Sequence, residues 1–135
     1  MFYNKSGTYN PQKTTGHKRK VSTAHHKRNS KKTTNYGSNG NTGYDSTERY
    51  PTSVLTFKSD TQKSKIHPTQ KPVLLDEWLI KTYSNEFDTV LDCTAGSCTT
   101  AIAAINSNRR FICIENDYEM YNKGIDRVSK HLKLS

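Results

Sequence analysis

Two short apolar segments separated by a helical one constrain the fold of this chain more than any other feature. Thr89–Asp92 and Arg110–Glu115 are predicted to be strands, and each ends in an acidic residue. Cys98–Ser107, between them, is predicted to be a helix. Because two strands joined by a helical crossover run parallel, we expect a parallel pair buried on both faces.

Two further helices are predicted from apolar residues at helical spacing. The first spans Pro72–Tyr83, where Pro72 suits the first helical position because its missing N–H costs nothing there. Its predicted apolar face consists of Leu74, Leu75, Trp78, Leu79 and Tyr83. The second spans Tyr118–Leu132. With a short strand expected at Thr52–Phe57, the result is an incomplete parallel α/β sheet, so we infer that the chain belongs to a larger fold.

Residues 1–50 differ sharply from residues 51–135 in charge and hydropathy. They carry ten Lys and Arg against two Asp and Glu, a net charge of +8, and Val21 is their only Val, Ile or Leu. Burial of so little apolar surface cannot offset the conformational entropy that the segment would lose on becoming ordered. The segment is therefore expected to be largely irregular and flexible. The charge favours a polyanionic partner, usually nucleic acid, with a solvated, flexible linker as the alternative. The candidate DNA contacts are Lys18, Arg19, Lys20, Lys27, Arg28, Lys31 and Lys32.

The loop after the first predicted strand has the pattern of a site for an adenosine-containing ligand. Ligands bind at the carboxyl ends of parallel strands, where Gly96 permits a tight turn and close backbone approach. Glu115 ends the second strand, where an acid can hydrogen-bond ribose hydroxyls. With one glycine and no phosphate-binding lysine, S-adenosylmethionine fits better than NAD or ATP. A generic βαβ unit with solvated acids is the alternative.

Four ordered motifs carry a specific resemblance. They are HPTQKP at His67–Pro72, LIKTYSN at Leu79–Asn85, VLDCTAGSCTT at Val90–Thr100 and RRFICIE at Arg109–Glu115. Together they closely resemble the C-terminal half of bacterial and phage DNA methyltransferases that modify the exocyclic amine of adenine or cytosine, in the permuted motif order. Tyr9–Lys20 resembles the target-recognition stretch of adenine-specific members. The resemblance implies a partial Rossmann-like methyltransferase fold over residues 51–135 and a target-recognition-like segment over residues 1–50. It also implies double-stranded DNA as the partner and adenine N6 as the preferred target.

The resemblance also implies roles for individual residues. Asp92 would orient the loop or the methionine amine, and Glu115 would hold the ribose. The full set of implied S-adenosylmethionine-binding residues is His67, Pro68, Thr69, Gln70, Lys71, Asp92, Thr94, Gly96, Ser97, Thr99, Glu115 and Asn116. No metal site is expected. Three cysteines and the lack of a signal peptide or membrane-length apolar run predict a cytoplasmic protein.

Two departures from the family pattern stand out. The family's catalytic tetrapeptide contains two adjacent prolines followed by an aromatic residue, and no Pro-Pro pair occurs here. No catalytic residue is therefore assigned, the chain alone is predicted to be inactive, and a separate N-terminal half carrying the tetrapeptide is a candidate partner. Phe87, Cys98 and Cys113 occupy positions where the family usually has glycine. Cys98 is expected to intrude on the cofactor and weaken its binding. The alternatives are a non-catalytic DNA-binding remnant or accessory subunit, and a small adenosine-ligand protein.

Overall fold

The computed structural model describes residues 7–22, 44–59 and 70–134. Its internal contacts group the chain into two units, Lys13–Ser53 and Met1–Gln12 together with Val54–Ser135. Residues up to Gln12 thus group with the C-terminal unit. The predicted division into a target-recognition segment and a methyltransferase portion at residue 50 stays a prediction.

The Lys13–Ser53 unit contains a short β-ladder. Strands β1 (Lys20–Ser22) and β2 (Tyr44–Ser46) pair antiparallel, with Val21 opposite Asp45. The described residues of this unit are otherwise irregular, apart from one bridge between Thr14 and Arg49. Val21 is 59% exposed, so its side chain anchors no core. This agrees with the irregular structure expected for a segment with so little apolar surface.

The C-terminal unit contains the predicted helix, strand, helix, strand, helix order. The elements are α1 (Val73–Tyr83), β3 (Thr89–Asp92), α2 (Thr99–Asn106), β4 (Arg110–Cys113) and α3 (Tyr118–Leu132). Strands β3 and β4 are parallel, with Thr89 opposite Arg110 and Asp92 opposite Cys113. The prediction of a parallel pair joined by a helical crossover is confirmed.

Helix α2 lies at the centre of this unit. Ala101 and Ala104 are fully buried. Ala104 belongs to a cluster with Ile80 of α1, and Ala101 to a cluster that packs against Val128 of α3, while Phe111 of β4 packs against both clusters. Small side chains on α2 let its neighbours approach closely, and this packing fixes the start of α2 beside the carboxyl ends of the strands.

Helix α1 buries a different face from the predicted one. Leu74, Leu79 and Tyr83 are exposed, whereas Ile80 is buried and packs with Val73 against the alanines of α2. The prediction was wrong for these three residues because the position of α2 decides which side of α1 is buried. Helix α2 is short and cannot cover every apolar residue of α1.

The strand predicted at Thr52–Phe57 is absent. No strand occurs between Pro51 and Ser59, and Val54 is 75% exposed. A β-rich sequence forms a strand when it finds a ladder partner, and no described strand pairs with this segment.

Strands β3 and β4 are covered less than predicted. Leu91 is 64% exposed, and Ile112 and Ile114 are 53% exposed. Within the described residues, α2 and its neighbours cover one face of the sheet and the other face is open. The expectation of strands buried on both faces is therefore wrong for the described part of the chain.

Helix α3 begins and ends where the sequence predicts. The Asp117 carboxylate caps it by accepting a hydrogen bond from the Met120 N–H at 2.9 Å. With 15 residues, α3 is the longest described helix. None of the helices in the described ranges has the length and apolar character needed to cross a bilayer.

Candidate functional site

Asp92, the last residue of β3, organises the loop that follows it. One carboxylate oxygen accepts the Thr94 N–H at 3.0 Å, and the other accepts the Thr100 hydroxyl at 2.6 Å. Asp92 therefore ties the start of the loop to the first turn of α2. The resemblance left open whether Asp92 orients the loop or binds the methionine amine. In the structure one of its oxygens contacts the loop and the other contacts α2, so Asp92 has the loop-orienting contacts.

Glu115, two residues after the end of β4, closes the same loop. Its Oε2 accepts the Gly96 N–H at 2.6 Å, and its Oε1 accepts the Asp117 N–H at 2.9 Å. These backbone donors, led by that of Asp117, hold the pKa of the Glu115 carboxyl below its ordinary value. The site therefore presents an ionised acceptor at neutral pH. Gly96 has a φ of 50°, in the left-handed region that the loop needs here and that glycine adopts without penalty.

A cavity of about 370 Å³ opens between these acids and the start of α1. Eight of the predicted cofactor-binding residues line it: Gln70, Lys71, Asp92, Thr94, Gly96, Ser97, Thr99 and Glu115. Asn116 does not line it, although it directly follows Glu115. His67, Pro68 and Thr69 lie outside the described residues.

Three further lining residues were missed by the sequence reasoning: Asp76, Ala95 and Thr100. Ala95 and Thr100 fall inside the recognised loop motif, so the motif itself could have identified them. Asp76 lies on α1 and was placed away from the predicted apolar face, and no local sequence signal directs it to the cavity.

Arg127 of α3 supports two of the lining hydroxyls. Its guanidinium donates to the Ser97 carbonyl at 2.9 Å and to the Thr99 hydroxyl at 3.0 Å. Ser97 and Thr99 are themselves buried and within 3.2 Å of each other through their hydroxyl oxygens. The sequence reasoning missed Arg127 because it lies in a helix 28 residues from the nearer of these hydroxyls.

Cys98 lies at the N-cap of α2 in the left-handed conformation, with φ 55° and ψ 37°. Phe87, at a second position where the family usually has glycine, also has a positive φ of 66°. A left-handed conformation costs a non-glycine residue roughly 1–2 kcal/mol, so these two positions carry local strain.

Cys98 does not line the cavity between Asp92, Glu115 and the start of α1. Its expected effect on cofactor binding stays a prediction. Its sulfur lies instead against α3, where a Cβ built on Gly124 would be 2.6 Å from Sγ. Because Gly124 has no side chain, the thiol fits behind the loop rather than inside the cavity.

The Cys98 and Cys113 thiols are packed groups rather than nucleophiles. They share a side-chain hydrogen bond, and burial is the largest cause that raises the pKa of each. The pKa of Cys113 rises to about 12. Both sulfurs therefore stay protonated at neutral pH, and the thiolate is the reactive form.

The candidate DNA contacts are described in part. Lys18, Arg19 and Lys20 are exposed in the Lys13–Ser53 unit. The Arg19 guanidinium donates two hydrogen bonds to Asp45, at 2.8 and 2.6 Å, which lowers the pKa of that carboxyl. A phosphate contact by Arg19 would compete with this pair. Four candidates lie outside the described residues: Lys27, Arg28, Lys31 and Lys32.

Comparison with known proteins places this geometry in a family context. A family model described as DNA methylase, for N6 and N4 methyltransferases, matches residues 1–125. The Type II methyltransferase M.BglI of Bacillus subtilis is 41% identical over 75 residues, covering 53% of this chain and 22% of the relative. The DNA adenine methyltransferase YhdJ of Escherichia coli K12 is 48% identical over 62 residues, covering 46% of this chain and 21% of the relative.

A solved structure shares the fold. The crystal structure of the M1.HpyAVI–SAM complex superposes with a TM-score of 0.53 at 34% identity, covering 59% of this chain and 39% of that one. The aligned part of this chain therefore has the α/β fold of S-adenosylmethionine-dependent DNA methyltransferases, in partial form. The chain spans about a fifth of the length of the two relatives above.

Proposed function

The chain belongs to the DNA methylase family of N6- and N4-specific methyltransferases, and from that premise we propose that it is the cofactor-binding portion of an enzyme that methylates an exocyclic amine of DNA. The observation that carries the proposal is the cavity between β3, β4 and α1, which is lined by Asp92, Gly96 and Glu115. When bound, S-adenosylmethionine supplies an activated methyl group.

The residues present fit this cofactor. Glu115 presents an ionised carboxylate whose oxygens retain acceptor capacity for the two ribose hydroxyls. Gly96, Ser97 and Thr99 line the part of the cavity beside the start of α2, where they would contact the methionine portion. The other proposed contacts are His67, Pro68, Thr69, Gln70, Lys71, Asp92, Thr94 and Asn116.

Adenine N6 is the proposed target rather than cytosine N4. The support is the adenine specificity in the name of the relative that is 48% identical and the resemblance of Tyr9–Lys20 to adenine-specific members. A base inside a duplex is out of reach of a buried methyl donor, so the whole enzyme has to accept a flipped-out nucleotide.

This chain alone is proposed to be inactive. It contains no Pro-Pro-aromatic tetrapeptide, which in the family holds the target amine and stacks on the base. A polypeptide carrying that motif is the proposed partner. The open sheet face that includes Leu91, Ile112 and Ile114 gives such a partner an apolar surface to cover.

Calorimetric titration of S-adenosylmethionine into the purified chain tests the proposal. Saturable binding with one site is expected, together with no methyl transfer to duplex DNA from labelled cofactor until a polypeptide with the tetrapeptide is added. NAD, which needs a different glycine loop, is the matched control ligand and is expected not to bind. Failure to bind S-adenosylmethionine contradicts the cofactor site, and methyl transfer by the chain alone contradicts the proposed inactivity.

DNA binding through the basic segment gives a separate prediction. The variant with Lys18→Ala and Lys20→Ala is expected to bind duplex DNA more weakly and to lower the slope of log K against log salt by about 2, one unit per lost phosphate contact. Fluorescence anisotropy over a salt series measures both quantities. The control variant, Lys130→Ala with Lys133→Ala, removes the same charge from the end of α3. Equal slopes for the two variants would show that net charge, not the basic segment, governs binding.

A further inference from the structure

Arg127 contacts two buried residues that line the cofactor cavity. It lies in α3, and its half-buried guanidinium directs Nη1 at the loop after β3. Nη1 donates to the Ser97 carbonyl at 2.9 Å and to the Thr99 hydroxyl at 3.0 Å, with the Ser97 hydroxyl at 3.3 Å. Ser97 and Thr99 line the cavity, and Arg127 does not. Hydrogen bonding from Arg127 therefore reaches a ligand in the cavity through these two residues.

The chemistry of arginine fixes the direction of these hydrogen bonds. A guanidinium has donors and no acceptor, so neither hydroxyl can donate to Arg127. The hydroxyl oxygens of Ser97 and Thr99 are 3.2 Å apart, so one of their two protons can bridge them. Each hydroxyl carries one proton, and the remaining proton of the pair points away from Arg127. The pair therefore has a hydroxyl donor left for an acceptor in the cavity that both residues line.

The turn that brings the two hydroxyls together is a strained one. Ser97 and Thr99 flank Cys98, which has a left-handed φ of 55°. A non-glycine residue keeps such a conformation only where surrounding contacts hold it. Arg127 hydrogen-bonds to the residue on each side of Cys98, from a helix position 30 and 28 residues further along the chain. The position of the two hydroxyls therefore depends on α3 as well as on the loop.

We propose that Arg127 is a positioning residue for the cofactor, which orients the Ser97 and Thr99 hydroxyls as donors toward the carboxylate at the amino-acid end of the ligand. This role rests on the proposed function, in which Ser97 and Thr99 contact the methionine portion. A carboxylate is the favoured acceptor because hydrogen bonds to an ionised group are roughly twice as strong as those between neutral groups. Helix α3 thereby contributes to cofactor affinity, although the cavity lining includes none of its residues.

The first test compares two probes that differ at the amino-acid end. S-adenosylhomocysteine carries the carboxylate, and 5′-methylthioadenosine has the same adenosine and thioether without an amino-acid end. Arg127→Met is expected to weaken the binding of S-adenosylhomocysteine by about tenfold or more, as measured by calorimetry, and to leave that of 5′-methylthioadenosine within about twofold. Arg127→Lys, which keeps a charged donor, is expected to recover most of the loss. Lys123→Met is the matched control, because it removes an exposed cation of α3 that pairs with Glu119.

The second test is a double-mutant cycle, which shows whether Arg127 acts through the hydroxyls. Ser97→Ala together with Thr99→Val removes both hydroxyls and leaves the Ser97 carbonyl in place. In that background Arg127→Met is expected to weaken the binding of S-adenosylhomocysteine by less than about threefold, because the donors that it orients are gone. A thermal melt of each variant shows whether the fold persists. Arg127→Gln repeats both tests if Arg127→Met folds poorly.

The outcomes separate this role from the proposed function. Equal affinities of Arg127→Met and the parent chain for S-adenosylhomocysteine overturn the role of Arg127 and leave the cofactor site intact. Equal losses for both probes, or an undiminished loss in the background without hydroxyls, also overturn it, because they show that Arg127 only supports the fold. A loss as large with Lys123→Met would attribute the effect to net charge and overturn it too. A parent chain that binds neither probe overturns the proposed function itself and this role with it.

Discussion

Glu115→Ala is expected to weaken S-adenosylmethionine binding by about a hundredfold or more. Each hydrogen bond to a charged group contributes about 1.5–3 kcal/mol, and this carboxylate is proposed to accept two from the ribose. The substitution also removes the acceptor for the Gly96 and Asp117 N–H groups, which fix the loop at 2.6 and 2.9 Å. Calorimetry gives the affinity, and a thermal melt shows whether the fold persists.

Two further variants separate the effect of Glu115 from general charge loss. Glu115→Gln keeps one acceptor oxygen but turns an amide donor toward a backbone donor, so a smaller but clear loss of affinity is expected. Asp126→Asn removes an exposed charge from α3 and is expected to leave the affinity unchanged. Binding by Glu115→Ala within threefold of the parent value, a difference of about 0.7 kcal/mol, would show that the ribose is held elsewhere.

The pH dependence of this site follows from the lowered pKa of Glu115. The ionised carboxylate accepts hydrogen bonds, so its contribution is present above the ordinary glutamate pKa of about 4.3. It is lost as pH falls through the lowered folded-state pKa, whose main cause is donation from Asp117 and Gly96. Cofactor affinity should therefore show no loss attributable to Glu115 between neutral pH and the ordinary glutamate range.

The sequence predicted the parts of the fold that depend on short-range pattern. Strands β3 and β4 and helix α3 were predicted with nearly correct bounds, because their periodicity is expressed within each segment. The sequence also placed Asp92 and Glu115 close together. The carboxyl ends of parallel strands meet at one edge of a sheet, and both residues line the cavity there.

The errors share a physical cause, which is that burial is decided by neighbours distant in sequence. The exposed face of α1, the absent strand at Thr52–Phe57 and the open face beside Leu91 all depend on what packs against them. Asp76 and Arg127 reach the site through helix packing, and no motif spacing encodes that.

Cys98 shows how such long-range packing decides where a side chain lies. Its sequence position predicts a side chain in the cofactor cavity, and the sulfur instead occupies the space that Gly124 leaves on α3. A glycine inside a helix normally costs about 1 kcal/mol relative to alanine. At this position the missing side chain has a structural reason, because α3 approaches both the Cys98 sulfur and the Gly96 carbonyl oxygen.

Gly124→Ala is therefore expected to destabilise the chain although alanine is the better helix former. The added Cβ would lie 2.6 Å from Cys98 Sγ, and the sulfur has little room to move because it is buried beside Cys113. Overpacking of this kind costs about 1–3 kcal/mol, which exceeds the helix-propensity gain of about 1 kcal/mol. Urea unfolding followed by circular dichroism measures the net loss.

The sign of the Gly124→Ala effect is expected to reverse once the sulfur is removed. In a Cys98→Ala background the new Cβ faces the Cys98 Cβ at 3.5 Å, an ordinary contact, so Gly124→Ala should stabilise by up to about 1 kcal/mol. Cys93→Ala, at an exposed cysteine of the same loop, is the matched control and should leave the original loss unchanged. An equal loss in the parent and Cys98→Ala backgrounds would show that Gly124 serves the loop backbone rather than the thiol. A reversal would establish that Cys98 and Gly124 are energetically coupled through the packing of the sulfur against α3.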